Sequence, residues 1–241
     1  MIDQEHNDYY ISRKAEILEG FDRAAQQWTP VLSQRYGDDF ANTVLQEARE
    51  QFEALIPEIP YIGGDENHLT GSLVGSAGCL AFYRAMQARG RSAEETGKIL
   101  YDAIKARGTD SIPPLSPSQR LSCGGLMKQR RERAERSQER RYAWDWVYEF
   151  VEGDGEQFDY GYNFTECATR KFYRAQHAEE FLPFYCFLDF PKSELEGLGL
   201  SRTTTLGEGG ERCDFRFKEG GKSRQEWPPP FLKKRGQESQ A

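Results

Sequence analysis

The chain has 241 residues, 37% of them apolar and 13% aromatic, enough to bury a sizeable core as one large domain or two packed ones. Its formal charge of −7, with both signs interspersed, argues against nucleic acid as a partner, because phosphate binding calls for a basic excess. No apolar run approaches the roughly 20 residues that span a bilayer, and the five cysteines form no close pairs, so a reduced, cytoplasmic protein without a membrane segment is expected.

From Tyr9 to about Leu55 apolar residues recur at helical spacing, as in Ile17, Leu18, Phe21 and Ala25, then Leu45, Ala48, Phe52 and Leu55. Two prolines and a glycine pair break that pattern in PEIPYIGGDEN, residues 57–67, which reads as a structured loop. Leu69 to Gly90 is again helical and closes on a glycine suited to a C-terminal cap. Ser92 and Glu95 stand at capping-box spacing and open a further helix to about Arg107. The Pro-, Ser- and Gly-rich stretch 108–119 reads as a connector. In KQRRERAERSQERR, Lys128 to Arg141, glutamates interleave with basic residues, the pattern of a solvated helix rather than of an RNA or membrane patch. Residues 1–107 thus form a helical part, and 108–143 a linker with a basic helix.

The periodicity changes from Trp144 onward. AWDWVYEFVEGDGEQFDYGYNF holds two aromatic and β-branched runs about an Asp154-Gly155 turn, a hairpin signal. A helix is expected from about Glu166 through Arg174 and a second helical stretch near Ala178 to Phe181, with Pro183 interrupting the path towards YCFLDF. LSRTTTLGEGGERCDFRF supplies two further β-prone runs around Gly209-Gly210. The order ββαββ over 144–219 predicts the α+β class, an N-terminal helical part packed on a C-terminal antiparallel-sheet domain. Residues 220–241, with three consecutive prolines, are expected to dock loosely or stay flexible.

Reactive side chains concentrate in this second part: Glu166 and Cys167, Cys186 and Asp189, and Arg202 with Cys213 and Asp214. A thiolate is both a nucleophile and a soft metal ligand, and a nearby cation lowers its pKa. Arg202 is the candidate for that cation, or for a bidentate grip on a substrate carboxylate. The plainer alternative is packing, since alternation in ERCDFRF turns Cys213 into the core. Asn67, in the glycine-containing loop, is weighed as a ligand-binding residue against a simple helix cap. Cys167, Cys186 and Cys213, with Asp189 or Glu166 as fourth ligand, would hold zinc or another divalent metal, although their separations are not those of a strong zinc motif.

FDYGYNFTEC, FLPFYCFLD, LGLSRTTTLGEGG and CDFRF, in that order across Trp144 to Lys218, resemble the L-2-amino-thiazoline-4-carboxylic acid hydrolase family. The N-terminal helices and PEIPYIGGDEN are similar to it as well. The resemblance implies hydrolytic opening of a small cyclic amidine, a 2-amino-thiazoline ring bearing a carboxylate, on a bacterial route to L-cysteine. On that reading Asp189 or Asp214 protonates the ring nitrogen while Cys167 or Cys186 attacks the carbon between nitrogen and sulfur. The expected partner is the small-molecule substrate, with self-association left open. The alternative is a non-enzymatic binding or sensor domain in which the cysteines hold a structural metal.

Overall fold

Amphipathic spacing in the first hundred residues becomes a set of packed helices: α1 (Gln4–Ser12), α2 (Lys14–Tyr36), α3 (Asp38–Leu55), α4 (Thr70–Gln87) and α5 (Ala93–Ala106). The structure is a computed structural model and describes residues 4–108 and 123–232, so nearly all of the expected connector lies outside the described residues. The chain forms two compact units. One holds residues up to 106 together with 142–144 and 168–185; the other holds 107–141, 145–167 and 186 onward.

In the first unit Leu18, Phe21, Ala48, Phe52 and Leu55 of that spacing are buried, while Ile17, Ala25 and Leu45 are half-buried. Phe21 and Trp28 of α2, Phe52 of α3 and Phe82 of α4 meet ring to ring, with centroids 4.8 to 5.6 Å apart. The capping box forms reciprocally: Glu95 accepts from the Ser92 amide at 2.9 Å, and the Glu95 amide donates to Ser92 Oγ at 3.1 Å. Gly90 takes a left-handed φ of 73° just beyond α4, where the Arg91 amide returns to the Met86 carbonyl. The segment 168–185 belongs to this unit through α7 (Ala168–Ala175), whose buried Tyr173 donates to the Ser76 carbonyl of α4 at 2.9 Å.

The second unit contains the basic helix α6 (Cys123–Ser137) and a four-stranded antiparallel sheet of order β1-β2-β4-β3. Its strands are β1 (Val147–Glu152), β2 (Tyr160–Glu166), β3 (Leu198–Ser201) and β4 (Cys213–Glu219). This is the expected α+β class. Register pairs Tyr160 with Phe217, Tyr162 with Phe215 and Phe164 with Cys213, so one face of the sheet is aromatic and ends on a thiol. Tyr148 of β1 joins that face, stacked on Phe164 at 4.6 Å.

Four local features depart from the sequence expectation, each for a visible reason. The hairpin loop runs from 153 to 159 instead of closing as a two-residue turn, because Asp154 Oδ1 captures the amides of Glu156, Gln157 and Phe158. YCFLDF lies in two short helices, α8 (Leu182–Phe187) and α9 (Asp189–Leu195); Pro183 sits in the first turn of α8, where its missing N–H leaves no helical bond unmade. The basic helix is docked rather than simply solvated: Arg130 donates to Tyr162 Oη at 2.8 Å, and Ser137 Oγ and Gln138 bond the Tyr148 backbone. The segment after Gly220 is tied down as far as the described chain goes. Arg224 N–H donates to the Leu200 carbonyl, Ser223 Oγ accepts from the Leu200 amide, and Phe231 is buried.

Candidate active site

The reactive side chains singled out in the second half of the sequence all lie in the second unit, and Cys186, Asp189 and Cys213 gather there around one buried guanidinium. Arg202 follows β3, and its side chain is only 3% exposed. It lies 4.8 Å from the Phe215 ring centre and 5.1 Å from that of Phe190, so the charge sits over two aromatic rings. Its nitrogens donate to Asp189 Oδ2 at 2.7 Å and to the Cys186 carbonyl at 2.9 Å. Burial disfavours the charge on Arg202, and Asp189 with the neighbouring thiols more than offsets this, leaving its pKa raised. A buried charge survives only with such a partner.

Two thiols, Cys186 and Cys213, lie within electrostatic reach of this pair, and a third, Cys167, lies within reach of both. Cys167 follows the last residue of β2, Cys186 stands in α8, and Cys213 opens β4. Cys79, Cys167, Cys186 and Cys213 are all present as thiols. Burial pushes the Cys186 thiol well above its ordinary pKa; Arg202 pulls it down, while Cys167, Asp189 and Cys213 push it further up. The residue keeps partial exposure although its sulfur sits deep among protein atoms. Cys213 is driven up to about 12, again chiefly by burial, and its sulfur accepts from the Leu206 amide at 3.2 Å. At neutral pH both thiols therefore keep their protons in the resting site.

Asp214 is built for a different task. Its carboxylate accepts from the Thr203 and Thr204 amides at 2.9 and 2.8 Å and from Thr203 Oγ1 at 2.6 Å. Burial raises its pKa, but these bonds outweigh burial and hold it below the usual carboxylate value. Asp214 thereby clamps the 203–204 turn. That turn also explains why TTT forms no strand: its amides serve Asp214, and Thr205 Oγ1 caps the single 3-10 turn Leu206–Glu208.

Other expected roles meet similar competition. Arg202, weighed for a grip on a substrate carboxylate, holds Asp189 and the Cys186 carbonyl instead, and its side chain is almost wholly covered. Asn67, in the first unit, has both ends of its amide engaged: Nδ2 donates to the Ile62 carbonyl at 2.7 Å, and Oδ1 accepts from the Leu69 amide at 3.0 Å. It shapes the loop that leads into α4, which is the cap reading. Glu166 is ion-paired with Arg140. Among the described residues no three His, Cys, Asp or Glu side chains group as metal ligands, so the tetrahedral zinc set of Cys167, Cys186 and Cys213 is not assembled. A guanidinium already supplies the positive charge beside those thiols.

One feature escaped the sequence reading altogether. Phe150, Tyr162, Phe164, Phe215 and Phe217 are only half-buried and form one continuous aromatic face that ends on Cys213 and Arg202. The alternation was present in YGYNF and CDFRF, and their antiparallel register brings the two rows together.

Residues 73–217, more than half of the chain, match the family model described as L-2-amino-thiazoline-4-carboxylic acid hydrolase. No curated protein and no solved structure matches. No helix among the described residues is long and apolar enough to cross a membrane.

Proposed function

The chain belongs to the L-2-amino-thiazoline-4-carboxylic acid hydrolase family, and from that premise we propose that it opens a small cyclic amidine such as 2-amino-thiazoline-4-carboxylate by adding one water. The observation that carries this reading is the buried Arg202 bonded to Asp189 and to the Cys186 carbonyl, with the Cys186 and Cys213 thiols beside it, inside the matched region.

The carbon to be attacked lies between sulfur and two nitrogens and becomes electrophilic when the amidine is protonated. Cys186 is the proposed nucleophile: its backbone carbonyl is held by Arg202, whose other nitrogen holds Asp189, whereas Cys213 is buried in the sheet with its sulfur engaged by the Leu206 amide. Its raised pKa keeps it inert in the resting site. A bound amidinium is a cation beside the sulfur, so it favours the thiolate, and the thiol proton leaves to water. Thiolate attack on the amidinium carbon forms a C–S bond to the enzyme and a neutral tetrahedral adduct. Collapse breaks one ring bond, C–S or C–N, with a proton returned to the leaving atom. Water then attacks the same carbon and releases Cys186 as the thiol, giving the ring-opened product.

The test is direct. Protein incubated with 2-amino-thiazoline-4-carboxylate yields product heavier by one water in the mass spectrum, and Cys186→Ser abolishes it while Cys213→Ser retains it in folded protein. No product from wild type rejects this substrate. A second reading, a small-molecule-binding domain without turnover, draws on the half-buried aromatic face; stoichiometric binding with no product would favour it.

A further inference from the structure

The ion pair at the centre of the site is satisfied on one side only. Arg202 holds Asp189 by Oδ2, and among the described residues no donor is bonded to Asp189 Oδ1. The Asp189 side chain is 33% exposed, whereas that of Arg202 is 3% exposed, so the pair has a covered cationic end and an accessible anionic end. An ionised carboxylate has about four acceptor positions, and each oxygen takes more than one donor. Beside it lie the two thiols and the end of the aromatic face. This unit already seats three flat cations on rings of that face: Arg202 on Phe215, Arg130 on Tyr160 at 4.1 Å and Arg131 on Phe150 at 5.3 Å.

We infer that Asp189 is the anchor for the substrate's amidinium, taking its N–H donors on the open oxygen, with Arg202 as the positioning residue that fixes the carboxylate from beneath. The inference rests on the amidine-hydrolase reading of the same site and specifies its ligand: a small planar amidinium or isothiouronium cation, recognised by its charge and its paired N–H groups. It also reverses the expected use of the pair. A substrate carboxylate finds Arg202 covered, while a substrate cation finds Asp189 open. Anchoring and activation then coincide, because a cation at Asp189 offsets the carboxylate's own upward pull on the Cys186 pKa.

The experiment compares two probes of one shape on the full chain by titration calorimetry: 2-aminothiazoline, a cation without a carboxylate, and thiazolidin-2-one, its neutral counterpart. Wild type is expected to bind the cation about tenfold more tightly or better, the range of a charge-assisted hydrogen bond. Asp189→Asn brings the ratio close to one. Arg202→Lys keeps the buried charge on a single nitrogen, which does not reproduce the guanidinium's separate bonds to Asp189 and the Cys186 carbonyl, and there the ratio falls towards one. Equal affinities of the two probes in wild type overturn the inference without reference to any variant, so a failure of Asp189→Asn to fold leaves it testable. Preference for the cation without turnover of 2-amino-thiazoline-4-carboxylate keeps this inference and rejects the hydrolase; turnover with equal binding does the reverse.

Discussion

Two polar loops attract attention in the sequence, Ile62–Thr70 around Asn67 and Arg202–Asp214 after β3, and they turn out to do different things. In the first, polar groups close on the loop itself. Asn67 bonds Ile62 and Leu69, Thr70 Oγ1 donates to the Gly64 carbonyl, and Asp65 accepts from Tyr9 and Arg13. Gly63 and Gly64 have φ of 113° and 55°, and a Cβ on Gly64 would lie 2.7 Å from the Tyr9 ring, so these glycines serve close packing. In the second loop Asp214 and the threonines are equally self-contained. Arg202, however, reaches out to Asp189 and leaves an acceptor unfilled beside two thiols. Residue type does not separate a structural loop from a chemical one; an account of where each hydrogen bond goes does.

That contrast can be broken by substitution, and the largest stability effect belongs to the second loop. Arg202→Met removes a buried charge from its partner and should cost about 3 kcal/mol, near the lower end for broken buried pairs because Asp189 keeps some exposure. Thermal unfolding would register this as a fall of roughly 6–12 °C. Asp214→Asn should cost about 1–2 kcal/mol through weakened turn bonds. Its pH dependence has a definite sign. A folded-state pKa below the ordinary value contributes stability that is complete above about pH 4 and lost as the pH falls through the folded value. Urea midpoints of wild type and Asp214→Asn should therefore differ at about pH 6 and converge as the pH falls below the ordinary carboxylate range; a gap that persists in acid would contradict the clamp role. The smallest effect is Asn67→Ala, about 1 kcal/mol of stability for a lost cap, with the affinities of both ring probes unchanged. A selective loss of ligand affinity in that variant would return Asn67 to the site.

Much of the fold was legible because it depends on local patterns. The capping box at Ser92 and Glu95, the closing Gly90 and the alternating strands about Asp154-Gly155 each state their structure within a few residues. YCFLDF and TTT were harder. Aromatic and β-branched residues suit strands, yet in YCFLDF they bury Phe187, Leu188 and Phe190 from short helices, and in TTT the backbone is claimed by Asp214. For the site, residue types singled out Cys186, Asp189 and Arg202, and the structure places these side chains together through partners that are not adjacent in the chain. Arg202 and Asp189 are thirteen residues apart, and no spacing rule says that one covers its charge with the other. The aromatic face required the register of β2 on β4, which long-range pairing alone supplies.

The central claim is that Cys186 attacks the amidine carbon, and the most direct measurement is the mass of the protein itself during turnover. A reaction with 2-amino-thiazoline-4-carboxylate, quenched in acid and digested, should show the substrate-derived group on the peptide containing Cys186, and Cys186→Ser should lose both that adduct and at least about a thousandfold in rate. Undiminished turnover by Cys186→Ser, or an adduct confined to Cys167, would contradict the account.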